Sequence, residues 1–162
     1  MALIRMEIKG LLMDPVSNMP VVILRDKEDG LFLPIWVGLF EANAIALEME
    51  KIATPRPMTH DLLRNVLAEL GTRVDRIVIN DLKDNTFFAR IHLTRGEVRY
   101  EIDSRPSDAI ALALRARSEI FVETEVLEKS KSLRSETGEP DPERLKKWLE
   151  EVNPEELGKY KM

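Results

Sequence analysis

The segment Ile102-Asp103-Ser104-Arg105-Pro106-Ser107-Asp108 places two carboxylates either side of an arginine, where a strand gives way to a helix. The proline after Arg105 disfavours helical backbone at that arginine, so the helix opens at Pro106 and Asp108 takes its third position. Asp103 and Asp108 are hard oxygen donors suited to a divalent cation, and Arg105 is a fork suited to a phosphate. The same residues also have a plain structural use. Asp108 at that position can accept from free backbone N–H groups and meet the positive end of the helix, while Arg105 pairs with an acid.

A second Arg-Pro step has a similar layout: Arg56-Pro57-Met58-Thr59-His60-Asp61. Thr59 is expected to cap a helix, with His60 at its first position. The helix end disfavours a protonated imidazole, so His60 is expected to stay neutral near pH 7, free to act as a general base or metal ligand. Alternatively, Thr59 and Asp61 cap the helix and His60 fills a surface gap. Glu41 falls in the first turn of a third helix, either as a metal ligand or as a favourable charge at the helix end. Taken as one site, Glu41, Asp103 and Asp108 would hold Mg²⁺ or Mn²⁺. His60 with Asp61 would supply the base chemistry, and Arg56 and Arg105 would neutralise phosphate. That is the equipment of a metal-assisted phosphodiester cleavage. No Walker loop, dinucleotide glycine fingerprint, nucleophile elbow or zincin helix occurs in the chain.

The elements that must position these groups follow from periodicity. Strands are expected over Leu3–Met13, Val21–Arg25 and Leu31–Val37, with Pro34 marking the last as an edge or a bulge. A helix follows to about Ile52, with Phe40, Ala44 and Leu47 widening its apolar stripe enough to bury more than one side. The Thr59 helix ends at Gly71. Three further strands span Val74–Leu82, Thr86–Thr94 and Glu97–Asp103. A tight Arg95-Gly96 turn would set Arg90 across from Glu101 and His92 across from Arg99, as ion pairs on a solvated face. The Pro106 helix, a short strand Ile120–Val122 and a short helix Glu123–Lys129 complete the domain, residues 1–130. Residues 131–162 read as a polar linker and a final helix, Asp141–Val152. Ala44-Ile45-Ala46-Leu47 recurs as Ala109-Ile110-Ala111-Leu112, each time in a helix that follows three strands. The expected fold is therefore α+β: a mixed, largely antiparallel sheet built from two βββα halves with an intervening helix.

Composition limits what this fold can do. The 162 residues include no cysteine, which excludes disulfide scaffolds, thiolate metal sites and a cysteine nucleophile, and fits a cytoplasmic setting. Twenty-nine acidic against 24 basic residues leave a formal charge of −5, so contact with RNA or DNA must be weak and local. No apolar run approaches the ~20 residues of a membrane span, and charges at Arg5, Glu7 and Lys9 argue against a signal peptide.

At the level of motifs, the chain resembles the bifunctional nuclease family, also called the conserved domain of unknown function 151. Leu33-Pro34-Ile35-Trp36-Val37-Gly38, Glu41-Ala42, the run Arg56 to Leu62 and the run Asp81 to Ala89 carry the resemblance, and Asp103 through Arg115 is its strongest part. It spans about Leu3 to Lys129. It implies an α+β protein, cytoplasmic and dimeric, that hydrolyses RNA and DNA. It supplies no catalytic set, so the site residues rest on the spacing argument alone. Some members carry a C-terminal UvrB/UvrC-type helical motif, of which the tail here has no clear version. Two rival readings remain. One is a non-catalytic dimeric interaction module anchored by Trp36, Phe40 and Trp148. The other is a small anionic-ligand binder at the helix starts of Thr59 and Pro106.

Overall fold

The computed structural model describes residues 2–26, 28 and 30–137. Two βββα runs appear in chain order. The first is β1 (Leu3–Met13), β2 (Pro20–Arg25), β3 (Phe32–Trp36) and α1 (Leu39–Met49). The second is β4 (Arg73–Lys83), β5 (Thr86–Arg95), β6 (Val98–Ser104) and α3 (Pro106–Ala116). Helix α2 (Thr59–Glu69) lies between them, and β7 (Glu119–Glu123) and α4 (Thr124–Thr137) follow.

Among the described residues, all strands join one seven-stranded sheet in the order β3-β2-β1-β7-β4-β5-β6. Every pairing is antiparallel except β4 with β7. The two runs thus fan out in mirrored order from β7. Strand β1 pairs on both sides: Leu3–Met6 pair with β7, and Glu7–Met13 pair with β2, with an irregularity between Ile8 and Gly10. Pro34 sits in β3, an edge strand, where a missing N–H costs least.

Helices α1 and α3 pack on each other, and α2 packs on α3. Small side chains let the first two approach closely: of the echoed alanines, Ala46, Ala109 and Ala111 are buried and Ala44 half-buried, and Ala42 and Ala113 beside them are buried too. Ile45, Ile110 and Leu112 fill the core beneath them, each contributing about 1.5–3 kcal/mol by leaving water.

Several local expectations are corrected. The β5–β6 turn is Gly96-Glu97, with Gly96 at φ +60°, so His92 faces Glu101 and Arg90 faces Asp103. Positive φ at the first turn position favours that placement of the glycine. Phe40 is 85% exposed rather than part of a buried stripe. Met58, not Thr59, caps α2, so His60 is its second residue and Asp61 its third. Helix α4 runs to Thr137, into the stretch expected to be linker. The expected helix Asp141–Val152, including Trp148, lies outside the described residues.

Candidate functional site

Three helix starts converge. Glu41 is the third residue of α1, His60 the second of α2, and Arg105 and Asp108 are the N-cap and third residue of α3. The Arg105-Pro106 step sets this up. Arg105 is extended (φ −69°, ψ 144°), and Pro106 starts the helix. Gly38, the N-cap of α1, makes room for the glutamate. The Glu41 carboxylate folds back over it, and a Cβ there would overlap Glu41 Oε2.

The side chains form one connected line. Arg105 Nη2 meets Glu41 Oε1 at 2.9 Å, and Arg105 Nε donates to Asp108 Oδ2 at 2.9 Å. Asp108 Oδ1 lies 2.9 Å from His60 Nε2. Burial deepens along the line, from an Arg105 side chain 64% exposed to a His60 side chain 11% exposed. Burial pushes the Asp108 carboxyl up, but the bonds from His60 and Arg105 outweigh it and hold the group below the usual carboxylate range. The Asp108 and Glu41 carboxylates in turn raise the Arg105 pKa.

An ionised Asp108 can only accept, so Nε2 of His60 must carry a proton. In neutral His60 the lone pair is then on Nδ1. That atom has no hydrogen-bond partner among the described residues, nor is it among their buried polar atoms left unpaired, so it keeps contact with solvent. Asp108 is therefore not a backbone cap. It fixes the tautomer of a histidine.

Asp61 has the other role. Its Oδ2 accepts the Met58 N–H at 3.0 Å, which closes the start of α2. Its Oδ1 accepts from Arg115 Nε at 2.7 Å. The Arg115 side chain is 2% exposed, and its other two nitrogens donate to Ala111 O and Ala44 O, each at 2.8 Å. One guanidinium thus ties α2 to α1 and α3. The Met58 bond first, and then Arg115 against the opposing effect of burial, hold the Asp61 carboxyl below its ordinary range.

The remaining expected residues do not join the line. Asp103 is exposed near the end of β6, and no hydrogen bond or ion pair links it to Glu41, Asp108 or His60. Arg56 is exposed on the connector before α2. It edges a cleft of about 310 Å³ that Arg64 and Arg115 also line. Among the described residues, no three His, Asp or Glu side chains are grouped to hold a metal ion. Arg105 occupies one oxygen of Glu41 and one of Asp108, and His60 occupies the other Asp108 oxygen. A cation held by Glu41, Asp103 and Asp108 does not fit this arrangement.

Sequence reasoning missed Arg115 as a site residue. The available signal was its position seven residues after Asp108, on the same face of α3.

The model of the bifunctional nuclease domain matches residues 22–134, and the chain belongs to that family. It is 36% identical over 157 residues to an uncharacterized protein of Mycobacterium tuberculosis, covering 91% of this chain and 94% of the relative. It is 25% identical over 114 residues to bifunctional nuclease 1 of Oryza sativa, and 26% over 116 residues to bifunctional nuclease 1 of Arabidopsis thaliana. The chain spans only 34% and 36% of those two plant proteins.

Proposed function

We propose that this chain hydrolyses phosphodiester bonds in RNA and DNA at the Glu41–Arg105–Asp108–His60 line. The observation that carries the reading is the His60 Nε2 to Asp108 Oδ1 contact beside a largely exposed arginine. His60 Nδ1 takes the proton of the attacking hydroxyl, from water or, in RNA, from the ribose; the new P–O bond forms as the bond from phosphorus to the leaving oxygen breaks, and that oxygen takes its proton from solvent. Asp108 stabilises the imidazolium that forms, as an ionised partner already in place. Arg105 meets the non-bridging phosphate oxygens as charge builds on them, and Glu41 holds the guanidinium in position. The converging helix starts add positive potential for the phosphate. No step is assigned to a divalent cation.

The cysteine-free chain is read as acting in the cytoplasm, as a homodimer. Among the described residues no helix is long and apolar enough to cross a membrane. Two features support the dimer. Leu62, Val66 and Leu70 are exposed along α2, and Val98, Tyr100 and Ile102 are exposed on the edge strand β6.

The test is cleavage of labelled single- and double-stranded RNA and DNA with Mg²⁺, with Mn²⁺ and with EDTA. The control is an Asp108→Asn, Arg105→Ala variant purified identically. Cleavage that survives EDTA and is lost in the variant supports the reading. A strict metal requirement would overturn the histidine-based chemistry. Absence of cleavage by either protein would leave a non-catalytic dimeric module, with sedimentation showing the dimer.

A further inference from the structure

The arginine-edged cleft lies on the far side of the first turn of α2. His60 turns toward Asp108, whereas the next residue, Asp61, turns toward Arg115 and the cleft. Its volume of about 310 Å³ is at the lower end of small-molecule sites, which run roughly 300–1,000 Å³. Its lining combines polar groups, Arg56, Arg64 and Asn65, with apolar ones, Leu47, Ile52 and Pro57.

Charge in the cleft runs against that of the whole chain. Asp61 is already paired with Arg115, which leaves Arg56 and Arg64 facing one carboxylate, Glu48. An anion is therefore favoured here, in a protein of formal charge −5. Arg64 is also held in place. Asn65 Oδ1 accepts from its Nε at 3.3 Å and from its Nη2 at 3.1 Å, which fixes the plane of the guanidinium. A fixed guanidinium can grip a phosphate by its free edge and stack on a base by its face.

We infer that this cleft is a nucleotide subsite, in which Arg56 and Arg64 hold the phosphate of an unpaired nucleotide and the apolar lining residues take its base. The inference rests on the proposed nuclease reading and deepens it. A strand crossing the start of α2 would place one phosphate at Arg105 and a neighbouring nucleotide in the cleft. A base inside a duplex cannot enter, so single strands are the preferred substrate.

The test is binding of a labelled single-stranded DNA octamer, followed by anisotropy over a salt series. His60→Ala is the background, so that turnover does not consume the probe. Adding Arg64→Ala is expected to weaken binding roughly tenfold. It should also lower the slope of log affinity against log salt by about 0.7, the share of one single-strand phosphate contact. Adding Asn65→Ala, which frees the guanidinium but keeps its charge, should weaken binding without changing that slope. Adenosine monophosphate should displace the octamer at concentrations where inorganic phosphate does not. Unchanged affinity and slope in the Arg64→Ala protein would overturn the inference, as would equal displacement by inorganic phosphate. Arg64-dependent binding by a protein that never cleaves would refute the nuclease reading and leave this subsite standing.

Discussion

Replacing Arg115 with Met tests the internal tie that holds α2 against its neighbours. The side chain is 2% exposed and spends its three nitrogens on Asp61, Ala111 O and Ala44 O. Methionine keeps much of the volume and removes the charge and all three bonds. Breaking a buried ion pair from one side costs about 3–5 kcal/mol, because the partner charge is left uncompensated. Asp61 is 21% exposed and keeps its bond from the Met58 N–H, so the low end applies, about 3 kcal/mol. For a domain of this size that is a fall in Tm of about 10 °C. Urea unfolding at pH 7 followed by circular dichroism measures it directly. The pH dependence gives a second reading. Asp61 has a folded pKa below its ordinary value. Its contribution is therefore complete above the unfolded pKa of about 3.9 and is lost as pH falls through the folded pKa. The gap between wild type and variant should narrow in that acid range. A double-mutant cycle with Asp61→Asn should show a coupling of about 1–3 kcal/mol. A cost below about 1 kcal/mol, with no acid convergence, would refute the idea that this arginine secures α2.

Three other perturbations separate position from stability. Gly38→Ala suits the local backbone (φ −72°, ψ 160°) but displaces the Glu41 carboxylate, so unfolding should shift by less than about 1 kcal/mol while cleavage falls several-fold. Asp108→Asn should lower the cleavage rate about 10²–10⁴-fold, and nitrogen NMR should show the Nε2–H tautomer of His60 clearly in wild type and mixed in the variant. His92 has its pKa lowered, first by burial and then by Arg76, against the pull of Glu101. The unfolded chain therefore takes up that proton first, and stability should decline as pH falls below about 6.5. His92→Gln should flatten urea midpoints across that window.

The parts of the fold that were legible depend on neighbours in sequence. The Arg105-Pro106 step fixes where α3 starts, and the position of Asp108 follows from it. The two βββα runs follow from strand alternation and from the alanine echo, which the structure uses at the α1–α3 contact. What stayed hidden depends on partners far along the chain. His60 and Asp108 meet only because α2 packs on α3, and nothing local to either residue states that. Asp108 could serve as a cap or as a partner; the imidazole 48 residues away decides it. Asp61 could serve in catalysis or as a cap; Arg115, 54 residues away, and the Met58 N–H engage both its oxygens. Phe40 fits a helical stripe, yet among the described residues no element covers that side of α1, and it is 85% exposed there. The two-residue error in the β5–β6 register has a local origin. A turn starting at Arg95 and one starting at Gly96 differ by a single step, and only the latter puts glycine, rather than arginine, at the first position, where tight hairpin turns need positive φ.

The place of β7 has a consequence for how the chain acquires its shape during synthesis. Both βββα runs are complete in sequence by residue 116, yet their inner strands β1 and β4 do not pair with each other. Each waits for the five residues of β7, which pair with Leu3–Met6 on one side and Arg76–Ile79 on the other. Until Glu123 has left the ribosome, a nascent chain presents two unsatisfied backbone edges, each able to recruit a foreign strand. The link from β1 to β7 also spans nearly the whole described chain, which makes the closing step slow. The two halves are then not independent modules that happen to be joined. They become one sheet in a single late event, and a chain cut before β7 would be a substrate for chaperones rather than a smaller working protein.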